Sequence, residues 1–148
     1  MNKALSQYFF REVLDAFAFV VYKHAFSAAQ LEVREQIGFT FVIFMGKHIA
    51  IECILDEREG DIACIIARVV NGKRATCDDA LDERDKSGVR VREHLSMLLE
   101  RHGARESLFT RVGSLELYDR IPITLGDFAQ MLKKHGHVVL NDSPSALA

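Results

Sequence analysis

The chain has 148 residues, a formal net charge of −2, and an apolar content of 49%. This length suits one domain with a substantial core and is short for two. A nearly neutral charge gives no global basic field, so the composition argues against bulk binding to nucleic acid or to an anionic membrane surface.

The N-terminal region has the pattern of neither a secretory signal nor a membrane span. Arg11, Glu12 and Asp15 interrupt the apolar run that a secretory signal would need. The uninterrupted run of residues 16–22 is far shorter than the roughly 20 residues that span a bilayer. We therefore expect a cytoplasmic protein with no membrane span.

The same region predicts a buried helix, because apolar residues recur at helical spacing across residues 4–22. The expected buried stripe consists of Leu5, Phe9, Val13, Phe17 and Val20.

Three cysteines, Cys53, Cys64 and Cys77, match neither a zinc-binding spacing nor a Cys-x-x-Cys redox pair. They fit buried thiols in a reducing compartment. Cys53 and Cys64 flank the same predicted turn and could face one another, but that placement alone does not make a disulfide in the cytosol.

Residues 29–71 predict an antiparallel sheet. Residues 29–35 alternate apolar and polar side chains, as in an edge strand, and a short helix capped by Ser27 fits them nearly as well. We favour the strand because the next segment is also a strand and residues 36–38 can form the turn between them.

The alternation of apolar residues also predicts the pairing of the strands. A three-residue loop, Gly46-Lys47-His48, would place Met45 opposite Ile49. That pairing gives one apolar face formed by Phe39, Phe41, Ile43, Met45, Ile49, Ile51, Cys53 and Leu55. A loop of residues 57–60 in the next turn would pair Cys53 with Cys64 and Leu55 with Ile62. The opposite face carries further apolar residues, and a helix or a partner should cover part of it.

The second half of the chain predicts an acidic loop followed by helices. Residues 72–87 are polar and acidic, and residues 88–138 form the helical region. Its first helix carries Val91, Leu95 and Leu98 on one side. Pro122 should break any long helix, so the last helix is expected from Thr124 to Gly136. Residues 139–148 form a tail that should be disordered at its end. The whole is one α+β domain, residues 1–148, with a three- to four-stranded antiparallel meander packed against an N-terminal helix and C-terminal helices.

Clustered carboxylates are the main candidates for function. Ten of the 21 acidic residues fall in two short segments. One surrounds the charged turn and comprises Glu52, Asp56, Glu57, Glu59 and Asp61, and the other is the following loop with Asp78, Asp79, Asp82, Glu83 and Asp85. Such clusters make a locally negative surface that steers a basic partner, although solvated turns explain them equally well. The candidate partner-binding residues are Glu57, Glu59, Asp61, Asp78, Asp79, Asp82, Glu83 and Asp85.

Catalytic and metal-binding motifs are not apparent. Gly113-Ser114-Leu115 lacks a nucleophile elbow, and the carboxylate spacing does not fit a calcium-binding loop. His135 and His137 have no third ligand at a suitable spacing. We therefore predict no catalytic residue, no metal and no cofactor. A small enzyme with a spatially assembled site is the less favoured alternative.

The order of these features resembles a family. An N-terminal helix, an apolar meander whose second turn reads ILDEREGDIACI, and later helices resemble the immunity proteins encoded beside bacterial polymorphic toxins, including contact-dependent growth-inhibition systems. The similarity covers residues 26–71, about a third of the chain. It implies a non-enzymatic cytoplasmic protein that binds the C-terminal domain of a cognate toxin, often a nuclease, and blocks its action. From the composition we expect no direct partner among nucleic acids or membranes.

A second reading remains open. The apolar outer face of the predicted sheet could serve an adaptor or regulatory module that forms homodimers. The residues expected on that face are Val42, Phe44, Ile54 and Ile65.

Overall fold

The computed structural model describes residues 2–76, 83–104 and 110–148. Its helices are α1 (Lys3–Ala16), α2 (Ala18–His24), α3 (Leu95–Arg101), α4 (Leu117–His135) and α5 (His137–Leu140). Its strands are β1 (Gln30–Arg34), β2 (Phe39–Met45), β3 (Ile49–Asp56), β4 (Asp61–Val70), β5 (Lys73–Arg74), β6 (Glu83–Arg84) and β7 (Arg90–His94). The N-terminal helix, antiparallel sheet and C-terminal helices confirm the α+β class. Among the described residues, no helix has both the length and the apolar character needed to cross a bilayer.

The N-terminal helical region buries the predicted stripe. All five stripe residues are 4% exposed or less and pack in the main core. The region is two helices rather than one, because Phe17 leaves helical geometry with φ −107° and ψ 14°. Asn2 caps α1 by accepting a hydrogen bond from the Leu5 backbone N–H.

The sheet follows the order β1-β2-β3-β4-β7-β6, and β5 pairs with β4. The prediction that residues 29–35 form an edge strand is confirmed by β1. A 3₁₀ turn, Glu35–Ile37, leads to Gly38 at φ +72°. Glycine suits this position because an added Cβ would lie 3.0 Å from the Arg58 Cγ atom, in a left-handed conformation that other residues rarely adopt.

The pairing predicted for the second turn is confirmed. Cys53 lies opposite Cys64 and Leu55 opposite Ile62, which leaves residues 57–60 as the loop between β3 and β4. Gly60 has φ +69°, as expected for a tight connection.

The pairing predicted for the first turn is wrong by one residue. Met45 lies opposite Ala50, not Ile49, and the Gly46 N–H donates to the Ile49 carbonyl. The cause is distant in sequence, because the Asp142 carboxylate accepts hydrogen bonds from the backbone N–H groups at positions 47, 48 and 49. A turn held in this way takes its length from Asp142, not from the local apolar pattern.

The one-residue shift exchanges side chains between the two faces of β2. Val42 and Phe44 point toward the helices, where the main core also contains Ile51, Cys53, Leu55, Cys64 and Ile66. Phe41 and Ile43 instead join Ile54 and Ile65 in a second cluster on the opposite face. The predicted outer face is therefore wrong: its four residues divide between the two faces, and all of them are buried.

The second half departs from the expected helices in two places. The predicted helix that carries both Val91 and Leu95 is not formed. Val91 lies in β7, which pairs with β4, and α3 begins only at Leu95. Helix α4 begins at Leu117 and contains Pro122. Proline has no N–H to donate to the carbonyl four residues earlier. That carbonyl, at Tyr118, instead accepts a hydrogen bond from the Tyr8 hydroxyl at 3.2 Å, and the helix continues through Pro122.

The two segments read as loop and tail are also more ordered than expected. The described ends of the acidic segment, residues 72–87, form β5 and β6, and residues 77–82 lie outside the described part of the chain. The end of the chain is packed, with Ala146 at 0% and Leu147 at 5% exposure. Arg101 donates to the Ala148 carbonyl at 2.7 Å. Disorder of the tail was wrongly predicted because composition does not reveal this docking.

Candidate functional site

The charged turn between β3 and β4 is attached to the rest of the fold on several sides. The Glu57 carboxylate accepts the Asn2 backbone N–H at 3.1 Å, which joins the turn to the start of α1. Arg58 donates to the Gln36 carbonyl. From α4, Arg120 donates to the Gly60 carbonyl at 2.9 Å. The first two contacts hold side chains of the turn. Its backbone is held by Arg120 and by the hydrogen bond from the Glu57 N–H to the Gly38 carbonyl.

Two carboxylates of this turn project without a described partner. Glu59 and Asp61 are exposed, and within the described residues their side chains form no hydrogen bond or ion pair. The Glu59 backbone N–H donates to the Asp56 carboxylate at 3.1 Å, so the backbone beneath the exposed charge is itself held. The turn therefore presents negative charge on a fixed frame.

Asp85, in the second predicted cluster, organises its own turn. Its Oδ1 accepts from the Ser87 backbone N–H, the Ser87 hydroxyl and the Val89 backbone N–H. The Ser87 hydrogen bond, followed by the Val89 bond, lowers the pKa of Asp85. Arg68 approaches its Oδ2 at 3.5 Å. Asp85 is therefore engaged in local structure.

The described residues of the two acidic clusters do not form one surface. Arg68, the neighbour of Asp85, pairs with Ile49 at the far end of the β3–β4 hairpin from Asp61. At about 3.3 Å per residue, the seven steps of β4 separate them by roughly 23 Å. Glu83 is exposed on β6. Asp78, Asp79 and Asp82 lie outside the described residues.

Glu52, which the sequence groups with the charged turn, lies in the interior. It is 0% exposed and forms a bidentate pair with Arg92, at 2.7 Å from Nη1 to Oε2 and 2.9 Å from Nη2 to Oε1. Arg92, from β7, is 1% exposed and also donates to the Ala75 carbonyl. The pair sits on the second face of the sheet, where Arg92 lies opposite Ala67.

The pair extends into a network that crosses the second face. Arg74 donates to Glu52 at 3.0 Å and to Glu32 of β1 at 2.9 Å. Arg34 also donates to Glu32, at 2.9 Å, and its guanidinium lies 4.8 Å from the centre of the Phe41 ring. Burial raises the pKa of Glu32, but the hydrogen bond from Arg34 and the charge of Arg74 outweigh burial and lower it.

This network covers part of the apolar second face, where the sequence predicts a covering helix or a partner. The guanidinium groups of Arg34, Arg74 and Arg92 pair with carboxylates on this face, and that of Arg34 also lies over the Phe41 ring. Among the members of this network, only Glu52 has a signal in the sequence that points to burial, because it is the one charged residue within an apolar strand. Its partners are 22 and 40 residues away.

An open cleft of about 590 Å³ lies beside the network. Its lining comprises Ser27, Gln30, Met45, Gly46, Gly72, Lys73 and Arg74. Arg74 already pairs with two carboxylates, and Lys73 is the other cation of the lining.

The cysteine pair is enclosed by the main core. Cys53 and Cys64 are directly opposite and at most 1% exposed. Burial, followed by the neighbouring Cys64, raises the pKa of the Cys53 thiol well above its ordinary value. Both are free thiols, and the enclosed Cys53 thiol is unreactive because its thiolate is disfavoured. Cys77 lies outside the described residues. Among the residues that are described, no three histidines, cysteines or carboxylates gather in a metal-binding cluster.

Comparison with known proteins adds no relative: no family model matches the chain, and no curated protein and no solved structure matches it.

Proposed function

We propose that this protein binds a cognate bacterial toxin domain in the cytoplasm and neutralises it without catalysing a reaction. The observation that carries the proposal is the β3–β4 turn, which holds exposed carboxylates on a fixed backbone. The resemblance to immunity proteins gives the class of partner, and the turn gives a contact surface suited to it.

A fixed turn favours binding because little loop entropy is lost when a partner associates. Contacts from Asn2, Gln36 and Arg120 supply that order before any partner arrives. Exposed Glu59 and Asp61 are then free to meet basic side chains. Glu57 and Asp85 add negative charge, although hydrogen bonds within the protein already engage their carboxylates.

The chemistry of the turn suits a toxin with a basic surface, such as a nuclease. A nuclease site holds phosphates and must be positively charged. Carboxylates placed over such a site would occupy it electrostatically and accelerate association, with a strong dependence on salt. Glu83 would contact the same partner only if the partner also reached the far end of the hairpin. Asp78, Asp79 and Asp82, which lie outside the described residues, stay proposed contacts.

A titration with the toxin domain encoded by the adjacent reading frame tests this contact. The double variant E59K/D61K should weaken binding by about tenfold or more at low salt, because it replaces attraction with repulsion. High salt should reduce the difference between the variant and the wild type.

A matched control separates the turn from overall charge. Asp15 and Glu100 are exposed on α1 and α3, so D15K/E100K changes the net charge equally at other sites. This variant should bind like the wild type. Equal weakening by both variants, or by neither, would show that the turn is not the contact.

A further inference from the structure

Strand β1 is the outer strand of the sheet and pairs only with β2 among the described strands. The direction of its backbone groups follows from its neighbours. The Glu57 N–H donates to the Gly38 carbonyl, so even-numbered residues along β2 direct their backbone groups toward β3. Backbone groups alternate along a strand, so odd-numbered residues of β2 face β1. The bond from the Ser27 N–H to the Met45 carbonyl agrees with this assignment.

The same alternation identifies the backbone N–H and C=O groups of β1 that form no hydrogen bond with β2. Gln30, Glu32 and Arg34 lie opposite odd-numbered residues of β2 and share their hydrogen bonds. Leu31 and Val33 therefore direct their N–H and C=O groups away from the sheet. Their side chains are 36% and 41% exposed. The edge thus combines unpaired backbone groups with exposed apolar side chains, which is a template for another strand.

We propose that two copies of this chain associate by antiparallel pairing of their β1 edges, with the two-fold axis at Val33. The sheets of the two copies then become continuous. This association is independent of toxin binding, because the β3–β4 turn is not part of the edge.

Charge complementarity favours a second copy as the occupant and Val33 rather than Glu32 as the centre of the pairing. When Val33 lies opposite Val33 of the second copy, Glu32 lies opposite Arg34 of that copy, and the reverse contact forms by symmetry. An axis at Glu32 would instead put two carboxylates directly opposite, which is unfavourable. A two-fold axis midway between two residues would place each residue whose N–H and C=O point away from the sheet opposite one whose N–H and C=O point toward β2. Backbone hydrogen bonds between the two strands could not form in that alignment.

The apolar contact lies on the other side of the sheet. Side chains alternate along a strand, so Val33 points to the helix side while Glu32 and Arg34 point to the second face. The two Val33 side chains therefore pack together, and their residues exchange two backbone hydrogen bonds. Since β1 has only five residues, the pairing is short and should be weak.

Sedimentation velocity over a range of concentrations tests the proposal. The average mass should rise from the 16.7 kDa of one chain toward twice that value. In V33P the outward N–H is lost, and the monomer should still fold because proline is tolerated where a strand N–H faces solvent. V33P should remain at the mass of one chain, whereas V33T, which keeps the N–H, should associate. A wild-type chain that stays at 16.7 kDa throughout would overturn the proposal, as would association of folded V33P equal to that of the wild type.

Cysteine cross-linking tests the alignment and does not depend on the proline variant folding. Residues opposite one another in a hydrogen-bonded antiparallel pair have Cα atoms about 5.5 Å apart, within disulfide range. V33C, in a chain that also carries C77S, should form a disulfide-linked dimer on mild oxidation. V70C is the matched control, because Val70 is an exposed valine (53%) at the end of β4. No V33C dimer, or equal cross-linking of V70C, would contradict the proposed edge.

Discussion

Glu52 is a carboxylate in the interior of an apolar sheet, and its charge there depends on two arginines. Arg92 holds both of its oxygens and Arg74 holds one. A buried ion pair contributes little compared with a well-packed apolar pair, but removing one partner leaves an uncompensated charge. The network therefore makes the identity of each member important.

Replacing Glu52 should be costly. E52A leaves Arg92 charged and buried, and we expect it to lower the free energy of unfolding by about 3–5 kcal/mol. Denaturant unfolding monitored by circular dichroism measures this change. E59A, at an exposed carboxylate, is the control and should change stability by less than about 0.5 kcal/mol. A near-neutral E52A would mean that the pair is not formed as described.

Among the elements, the β2–β3 hairpin and the C-terminal segment depend on each other. The Asp142 carboxylate accepts three backbone N–H groups of the hairpin turn. Gly46 permits this close approach, because a Cβ there would lie 2.6 Å from Oδ1 of Asp142. The turn thus anchors a segment that sequence composition describes as a free tail.

Removing the Asp142 carboxylate should loosen both parts. Hydrogen bonds to a charged group contribute about 1.5–3 kcal/mol each and are not additive, so we expect D142A to cost about 2–3 kcal/mol. Hydrogen exchange should also accelerate at the amides of Lys47, His48 and Ile49. D142N keeps an acceptor oxygen and should lose less stability than D142A. Unchanged exchange at these amides in D142A would contradict the anchoring role.

Elements whose signals are local could be predicted from the sequence, and elements fixed by distant residues could not. The stripe of α1 and α2 follows from helical spacing, and the β3–β4 pairing follows from residues on either side of one short turn. The first hairpin was misaligned because Asp142 is 93 residues from Ile49. The start of α4 was missed because Tyr8, 110 residues away, satisfies the Tyr118 carbonyl. Of the candidate site, the exposed positions of Glu59 and Asp61 agree with their turn composition, whereas the burial of Glu52 does not.

At the scale of the whole molecule, Glu32 links stability to pH. Its pKa is lowered from 4.5 in the folded protein, so the unfolded chain binds a proton at higher pH than the folded chain. The stabilisation is therefore complete above about pH 4.5 and is lost as pH falls through the folded pKa.

The E32Q variant should remove this contribution. Its free energy of unfolding should fall less steeply than that of the wild type as the pH is lowered below about 4.5. Denaturant titrations at several pH values measure the slope. E100Q, at an exposed carboxylate of α3, should retain the wild-type slope. A slope in E32Q as steep as that of the wild type would show that Glu32 does not carry this linkage.

The claim that the protein neutralises a toxin is tested most directly by assaying the toxin domain of the adjacent reading frame while this chain is added. We expect its activity to fall as the chain approaches equimolar amounts. E59K/D61K should require a higher concentration than the wild type, and D15K/E100K should not. Full toxin activity in the presence of excess wild-type chain would contradict the proposed function.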